Sequence, residues 1–225
     1  MTTHSVPCPA FHRRPRTIRR EPDDRALFVR QWLHAPARMG AIAPSSQRLA
    51  RAVCAPIPEH GDPVVVELGA GTGPFTAQIQ RQLAGRGRHL AIEIDPHLAR
   101  HLSQHYPAAE VMQHDAADLR HLLQARGIDR ADVVISGLPW ALFPGDAQDR
   151  LMDATAAVLG PSGAFTAFTY LHAVPLPPAR RFRDLLTDRF EEVVPSRTIW
   201  RNAPPAFVLH ARRPRIGPRP RPTPA

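Results

Sequence analysis

The sequence contains no lysine, only two cysteines and no long apolar run. All 29 basic residues of the 225-residue chain are arginine, a bias typical of a GC-rich genome that says little about function. Cys8 and Cys54 are not spaced as metal ligands, so we expect no metal site and a reducing compartment. No window approaches the ~20 apolar residues of a membrane span. No apolar stretch follows the early arginines, as a secretory signal would require. We therefore expect a cytoplasmic protein, soluble or peripheral to a membrane.

Charge is distributed unevenly along the chain. Residues 1–38 carry eight arginines and three acidic residues, and residues 212–225 carry five arginines and no acidic residue. Residues 39–211 are nearly neutral, with 16 arginines and 17 acidic residues. Two basic ends on a neutral body indicate an acidic partner, either nucleic acid phosphates or anionic lipid headgroups. The alternative is that the ends are simply unstructured tails.

Proline and helix-capping residues divide the chain. Residues 1–22 and 213–225 are rich in arginine and proline without periodicity, and we expect both segments to be disordered. A helix is predicted from Asp23 or Asp24 to Pro36, with apolar and polar arcs on opposite sides. Its apolar arc comprises Phe28, Val29, Trp32 and Leu33. A second helix is predicted over about 45–55, capped by Ser45 or Ser46.

Strand and helix patterns alternate from residue 64 to residue 212. Strands are predicted at Val64–Leu68, His89–Ile94, Glu110–Gln113, Asp132–Ser136, Ala164–Tyr170, Glu191–Trp200 and Ala206–Arg212. Helices are predicted at about 74–84, 96–105, 117–126, 147–159 and 178–189. The alternation predicts an α/β protein with a Rossmann-like, mostly parallel seven-stranded sheet and an antiparallel C-terminal hairpin.

A glycine-rich loop follows the first predicted strand, in VVVELGAGTG. Gly69, Gly71 and Gly73 allow a sharp turn and close approach of the backbone to a ligand. A dinucleotide-binding loop has the spacing GxGxxG, whereas this loop is GxGxG. Glu67, two residues before it, would repel a pyrophosphate. The loop therefore favours a cationic ligand without phosphates, and S-adenosylmethionine fits.

Two further acidic residues follow the next two predicted strands. Glu93 can accept hydrogen bonds from both hydroxyls of a ribose. Asp115, followed by Ala116, can bond an adenine amine. Each alone is also consistent with a solvated loop residue, but acids at three successive strand ends together indicate one nucleoside site.

The segments ELGAGTG, IEID, HDAADL and SGLPW resemble, in this order, those of class I S-adenosylmethionine-dependent methyltransferases. The resemblance covers about residues 63–212, and it implies a methyltransferase domain over 61–212. It also implies a set of cofactor-binding residues. These are Glu67, Gly69, Gly71, Gly73, Glu93, Asp115 and Ala116.

Two groups within that superfamily share this pattern most closely and differ in acceptor. Ribosomal RNA adenine dimethyltransferases have an asparagine in an N-[LIP]-P-[YF] motif after the fourth strand, where this sequence has Gly137. SGLPW, FTYLHAVP and RNAPPAFVLHARR are similar instead to bacterial phospholipid N-methyltransferases, which convert phosphatidylethanolamine towards phosphatidylcholine. That resemblance implies that residues 23–60 are amphipathic and cofactor-covering helices. RNA adenine methylation remains the alternative.

The resemblance also implies an acceptor site. Its predicted residues are Ser136, Gly137, Leu138, Pro139, Trp140 and Tyr170. Tyr170 or His172 is expected to accept a proton or hold the amine, and no dedicated strong base is evident. The aromatic faces of Trp140, Phe143 and Tyr170 can hold a methylated cation, the alternative being that they pack in the core or a loop.

Membrane contact is predicted for the N-terminal helix through Phe28, Arg30 and Trp32, with early arginines meeting anionic headgroups. The alternative is that its apolar arc packs on the methyltransferase body. Arg201 is expected to meet a lipid phosphate or to be a solvated turn residue. The sequence makes no prediction about the oligomeric state.

Overall fold

The structure of the protein, a computed structural model, describes residues 46–215. The predicted arm at 1–22 and the predicted amphipathic helix after it lie outside these residues, as does all but the start of the predicted C-terminal tail. The described residues correspond to the predicted methyltransferase domain together with the helix before it.

Six helices and seven strands make up the described chain. The helices are α1 (Gln47–Val53), α2 (Pro74–Leu83), α3 (Pro96–His105), α4 (Leu119–Gln124), α5 (Gly145–Val158) and α6 (Pro177–Arg189). The strands are β1 (Val64–Leu68), β2 (Arg88–Glu93), β3 (Glu110–Gln113), β4 (Ala131–Ser136), β5 (Leu159–Tyr170), β6 (Phe190–Pro195) and β7 (Ala206–Pro214). Three 3-10 turns lie at Ala116–Asp118, Trp140–Leu142 and Leu171–Ala173.

The strands form one sheet in the order β3-β2-β1-β4-β5-β7-β6. β1 to β5 pair in parallel, while β7 pairs antiparallel with both β5 and β6. The predicted Rossmann-like fold with its antiparallel hairpin is confirmed. The strand order reverses between β1 and β4, and in open parallel sheets ligands bind beyond the strand ends at such a point.

Both faces of the sheet are covered by helices, as near-continuous apolar strands require. Alternate residues of β1 point to opposite faces, so Val65 packs with α1 and α2 while Val66 packs in the larger core on the other face. That larger core contains a cluster of stacked and edge-on rings. The cluster comprises Trp140, Phe143, Phe165, Phe182 and Phe190. It packs α6, through Phe182, against β5 and against the segment that follows β4.

The main departures from the predicted elements occur at the outer strands. The strand predicted to reach Trp200 ends at Pro195, because the Oγ of Ser196 accepts the hydrogen bond of the Val208 N–H. The Ser196 N–H still donates to the Val208 carbonyl at 2.7 Å, and further along Ile199 forms an isolated bridge with Ala206 of β7. β5 begins earlier than predicted, with residues 160–163 bulging out between two paired positions. β7 continues to residue 214, into the segment predicted to be a tail.

Candidate active site

The loop between β1 and α2 lies at the carboxyl edge of the sheet, where the strand order reverses. Gly69, Gly71 and Gly73 all have positive φ there, at 67°, 60° and 90°. A Cβ at Gly71 would meet no atom within 4 Å, whereas at Gly69 it would lie 2.6 Å from Cδ2 of Leu138. Backbone conformation thus favours glycine at Gly71, although the space beside it is open. Open space against bare main chain suits a closely bound ligand.

Glu93 ends β2 and fastens the glycine loop to that strand. Its Oε2 accepts a hydrogen bond from the Gly71 N–H at 2.8 Å, and its Oε1 accepts one from the Asp95 N–H at 2.9 Å. Burial raises the pKa of Glu93 above its ordinary value, and the two main-chain donors offset part of this effect. Each carboxylate oxygen has further lone-pair capacity, so Glu93 can also accept hydrogen bonds from the hydroxyls of a ligand.

Glu67 is fully buried on β1 and is held by a chain of polar side chains. Its Oε2 accepts a hydrogen bond from Thr76 Oγ1 at 2.8 Å and lies 3.1 Å from Nε2 of His89. Nδ1 of His89 lies 2.8 Å from the amide nitrogen of Gln80. Because an amide nitrogen only donates, Nδ1 accepts and the Nε2–H of His89 donates to Glu67.

The second carboxylate oxygen of Glu67 has no such support. Oε1 is buried and has no hydrogen-bond partner among residues 46–215. An oxygen of this kind is costly to bury without a donor. A ligand with a positively charged donor group would satisfy it.

Asp115 and Ala116 follow β3 and begin a 3-10 turn. Asp115 is exposed, and its Oδ1 accepts a hydrogen bond from the Ala117 N–H at 2.8 Å, so it caps the turn. Ala116 is buried. The His114 N–H bonds the carbonyl of Glu93 at 3.2 Å and holds the turn beside β2. The glycine loop, Glu93 and Asp115 therefore share one edge of the sheet.

The segment after β4, residues 136–140, packs against the other side of the glycine loop. The N–H of Gly137 donates to the Leu68 carbonyl at 2.8 Å, and a Cβ at Gly137 would lie 2.6 Å from the carbonyl oxygen of Gly69. A side chain at this position would force the two loops apart, because backbone leaves no room to yield. The glycine that separates this sequence from the RNA dimethyltransferase pattern is thus required by local packing.

Ser136 and Trp140 hold this segment from the core side. Ser136 is fully buried, and its Oγ accepts a hydrogen bond from the Trp140 indole N–H at 2.9 Å. Trp140 stacks on Phe182, with ring centroids 4.6 Å apart. Trp140 is only 2% exposed and Phe143 only 5%. The burial of these two rings therefore supports the alternative that they pack in the core over the prediction that they hold a methylated cation.

Tyr170 ends β5 in a row of aromatic rings on the face covered by α1 and α2. Phe75, in the first turn of α2, meets Phe168 edge-on at a centroid distance of 5.8 Å. Phe168 meets Tyr170 at 5.2 Å, and Tyr170 stacks on the exposed His172 at 5.6 Å. Burial raises the pKa of the Tyr170 phenol. At neutral pH it is therefore an uncharged hydrogen-bonding group and not a base.

Arg201 lies in the loop between β6 and β7, and its side chain is exposed. The next residue, Asn202, is buried and fastens this loop to the start of α1. Its Oδ1 accepts a hydrogen bond from the Ser46 N–H at 3.0 Å, and its Nδ2 donates to the Pro204 carbonyl at 2.6 Å. The predicted membrane-contact residues of the N-terminal helix lie outside the described part of the chain. They are Phe28, Arg30 and Trp32.

Three residues that shape the site were not among the predicted ones: His89, Tyr106 and Asn202. The signal for His89 is a polar residue inside the otherwise apolar run of β2, RHLAIE. The ring of Tyr106 lies directly against Gly73, so the backbone contact can be made only by a glycine. Tyr106 reaches the glycine loop from the end of α3, and no local pattern marks it. Asn202 lies in the segment RNAPPAFVLHARR, but its contact with the distant Ser46 is not evident from that segment.

Residues 46–215 contain neither a metal-ligand cluster nor a membrane-spanning helix. Within this range, no three His, Cys, Asp or Glu residues are grouped as metal ligands. None of the helices in the range has the length and apolar character needed to cross a bilayer. Cys54 is buried at the end of α1, and burial together with the charge of Glu67 raises the pKa of its thiol.

Comparison with known proteins agrees with this geometry. A family described as methyltransferase domain matches residues 65–163. The chain is 38% identical over 189 residues to the ornithine lipid N-methyltransferase of Singulisphaera acidiphila, which spans 83% of this chain and 94% of that protein.

Solved structures show the same fold at low sequence identity. The O-methyltransferase from Bacillus cereus, in complex with SAH, has a TM-score of 0.60 at 15% identity, covering 87% of this chain and 93% of its own. A TehB-like SAM-dependent methyltransferase from Corynebacterium glutamicum has a TM-score of 0.53 at 14% identity, covering 84% and 97%. At such identities the likeness concerns the fold alone.

Fold, site and comparisons together define a class I methyltransferase that depends on S-adenosylmethionine, an enzyme of class EC 2.1.1. The chain belongs to the family that includes the ornithine lipid N-methyltransferase of Singulisphaera acidiphila. The site fits the cofactor for two reasons. Open space adjoins Gly71, and a buried carboxylate oxygen of Glu67 lacks the hydrogen-bond donor that a cationic group would provide. Glu93 adds acceptor capacity for hydroxyl groups at the same edge.

Proposed function

We propose that this enzyme methylates the primary amine in the headgroup of a lipid at a membrane surface. Phosphatidylethanolamine, carried towards phosphatidylcholine, is the first candidate acceptor, and a lipid with an ornithine headgroup is the second. The observation that carries the proposal is the 38% identity to an ornithine lipid N-methyltransferase over 94% of that protein's length. Both acceptors present a primary alkylamine on an apolar anchor.

The cofactor half of the proposed site lies at the ends of β1, β2 and β3. Glu93 accepts hydrogen bonds from the ribose hydroxyls, and Asp115 with Ala116 contacts the adenine. Oε1 of Glu67 attracts the ammonium group, and Gly69, Gly71 and Gly73 keep Cβ atoms out of the way. Bound S-adenosylmethionine supplies a methyl group on a positively charged sulfonium, which needs no further activation by the protein.

The acceptor half of the proposed site lies beyond β4 and β5. The half-buried residues Gly137, Leu138 and Pro139 line it, and buried Ser136 and Trp140 fix their backbone from below. An alkylamine is mostly protonated at neutral pH and reacts only after losing its proton. The neutral Tyr170 phenol orients the free amine, and the proton passes to solvent, so alignment provides most of the acceleration.

Two further contacts complete the proposal outside the reaction centre. Arg201 meets the lipid phosphate where the acceptor has one. The N-terminal segment, including Phe28, Arg30 and Trp32, provides contact with anionic headgroups. A lipid enzyme with basic ends is thereby held at the surface that carries its substrate.

The test is to incubate the full chain with radiolabelled S-adenosylmethionine and separate acceptor pools. The pools are phosphatidylethanolamine vesicles, ornithine-lipid vesicles, ribosomal RNA and soluble primary amines. We expect label in one or both lipid pools and almost none in RNA. Arg201→Gln should raise the KM for phosphatidylethanolamine and leave the KM for a phosphate-free lipid amine unchanged.

Label confined to ribosomal RNA would contradict the proposal and support the alternative function, RNA adenine methylation. Label confined to the soluble amines would replace the lipid with a small molecule. One position supports lipid over RNA. The RNA enzymes have an asparagine where this chain has Gly137, and a side chain at position 137 would displace the Gly69 carbonyl.

A further inference from the structure

Two loops beside the acceptor half form what we call the outer rim, residues 171–176 and 196–205. The first follows β5, and the second joins β6 to β7. They are linked by a hydrogen bond from the Leu171 N–H to the Pro205 carbonyl at 2.9 Å. Because Tyr170 at the end of β5 pairs with Ala206 at the start of β7, the outer rim lies at the same sheet edge as the glycine loop.

The outer rim carries positive charge and no negative charge. Neither of its two loops contains Asp or Glu, although the chain has 20 acidic residues. Arg197 and Arg201 are exposed on the second loop. Several other arginines of the described domain form ion pairs with carboxylates. These are Arg88, Arg126, Arg181, Arg189 and Arg213. Within residues 46–215, Arg197 and Arg201 make no such pair, so the rim is complementary to an anionic surface.

The outer rim also holds two of the three large apolar side chains that are exposed in the described domain. Trp200 is 71% exposed and Leu176 is 41% exposed; the third is Val194, on the edge strand β6, at 58%. A tryptophan combines an apolar ring with a polar N–H, which suits the boundary between headgroups and hydrocarbon. Arginines beside it can reach lipid phosphates.

Trp200 is exposed on an anchored loop. The preceding residue, Ile199, pairs with Ala206 of β7, and its N–H donates to the Ala206 carbonyl at 2.7 Å. Two residues after Trp200, the buried Asn202 ties the loop to Ser46. A rigidly presented indole loses little conformational freedom when it enters an interface. The loop therefore has the properties of a built contact surface.

We propose that the outer rim docks on an anionic bilayer surface, with Trp200 and Leu176 entering the headgroup boundary and Arg197 meeting lipid phosphates. This inference rests on the proposed lipid acceptor and adds to it the part of the fold that meets the membrane. In this orientation the carboxyl edge of β4 and β5 faces the bilayer. A lipid headgroup then reaches the acceptor half without the whole lipid leaving the membrane.

The experiment measures binding of the full chain to phosphatidylcholine vesicles with and without phosphatidylglycerol, in the absence of cofactor and acceptor. Trp200→Ser should weaken binding to the anionic vesicles about tenfold, since the variant lacks the aromatic ring whose transfer out of water favours binding. Leu176→Ser should act in the same direction with a smaller effect. Val194→Ser removes an exposed apolar side chain outside the outer rim and should leave affinity unchanged.

Charge reversal provides a second, independent arm. Arg197→Glu should weaken binding to phosphatidylglycerol vesicles by about fivefold or more, with little effect on pure phosphatidylcholine. The matched control is Arg100→Glu, an exposed arginine on α3, which packs on β2 and β3 at the opposite end of the strand order from β7. Unchanged thermal unfolding and unchanged S-adenosylmethionine binding by calorimetry establish that each variant is folded.

Wild-type vesicle affinity in Trp200→Ser and Arg197→Glu would overturn the inference. So would a loss of affinity for RNA or for a protein in these variants without any loss of vesicle binding. The two proposals can fail separately. If no lipid amine is methylated but Trp200→Ser loses vesicle binding, the acceptor assignment is wrong and the membrane surface stands. If lipid is methylated and Trp200→Ser binds normally, only the membrane surface is wrong.

Discussion

The two halves of the sheet's carboxyl edge are built by different means. At the ends of β1 and β2, carboxylates bind main-chain N–H groups and neighbouring polar side chains, as with Glu93 on Gly71 and Glu67 on Thr76. At the ends of β4 and β5, large apolar rings pack beneath a short loop, and the polar groups are few. The shape of the cofactor half is thus set by specific hydrogen bonds, and the shape of the acceptor half is set by the packing of aromatic rings.

The two halves meet where the Gly137 backbone contacts the Gly69 carbonyl. A change within one half should therefore affect only that half's ligand, while a change at the contact should affect both. This difference can be measured, because calorimetry reports cofactor binding alone and methyl transfer reports both.

The largest expected effect is that of Glu93→Ala on the cofactor half. The change removes the acceptor for the proposed ribose contact and frees the Gly71 N–H. We expect S-adenosylmethionine affinity to fall by about 100-fold, equivalent to about 2.7 kcal/mol, which two hydrogen bonds to a charged group can account for. Calorimetry measures the affinity, and labelling of every acceptor pool should disappear with it.

Glu59→Ala is the matched control, because Glu59 is an exposed carboxylate on the loop before β1. It should bind the cofactor as the wild type does. If Glu93→Ala retained wild-type affinity, Glu93 would have no ribose role and would only position the glycine loop.

The second-largest effect is expected for Gly137→Ala, at the contact between the two halves. A Cβ would lie 2.6 Å from the Gly69 carbonyl oxygen, so one loop must move. We expect the free energy of unfolding to fall by about 1–3 kcal/mol, as for other overpacked sites. Cofactor affinity and methyl transfer should both decline, since the displaced oxygen belongs to the glycine loop.

Gly160→Ala provides the comparison for that substitution. A Cβ there would meet its nearest atoms at 3.9 Å, an ordinary packing distance. Thermal unfolding should show little change for Gly160→Ala. Equal destabilisation of the two variants would mean that the close approach of the two loops is not what limits position 137.

The same difference between the halves explains what the sequence could reveal. The glycine loop and Glu93 are recognisable because positive φ values and a strand-end carboxylate are local requirements of the backbone. Trp140 has no such marker: its burial depends on Phe182, 42 positions later in the printed sequence. Likewise, the end of β6 at Pro195 follows from the Ser196 hydroxyl replacing a strand partner, which apolar patterning does not report.

The smallest expected effect is that of Tyr170→Phe on the acceptor half. If the phenol orients the amine, removing its oxygen should lower kcat by about tenfold, equivalent to about 1.4 kcal/mol, with cofactor affinity unchanged. Tyr106→Phe is the matched control, since the ring against Gly73 is retained. An unchanged kcat in Tyr170→Phe would show that Tyr170 only packs against the neighbouring aromatic rings and does not orient the amine.

The pH dependence of this variant separates an orienting phenol from a base. Burial raises the pKa of Tyr170 above its ordinary value of about 10. The group is therefore protonated throughout the neutral range, and the ratio of wild-type to variant kcat should stay constant from about pH 7 to about pH 9. A phenolate base would make that ratio rise with pH.

Tyr170 also makes the free energy of unfolding depend on pH. The fold favours the neutral phenol, so the stability that this group contributes is present below pH ~10 and is lost as the pH rises through the folded-state pKa. In a chemical-denaturation series, Tyr170→Phe should reduce the alkaline loss by the part that Tyr170 contributes and leave the part that the buried Cys54 thiol contributes.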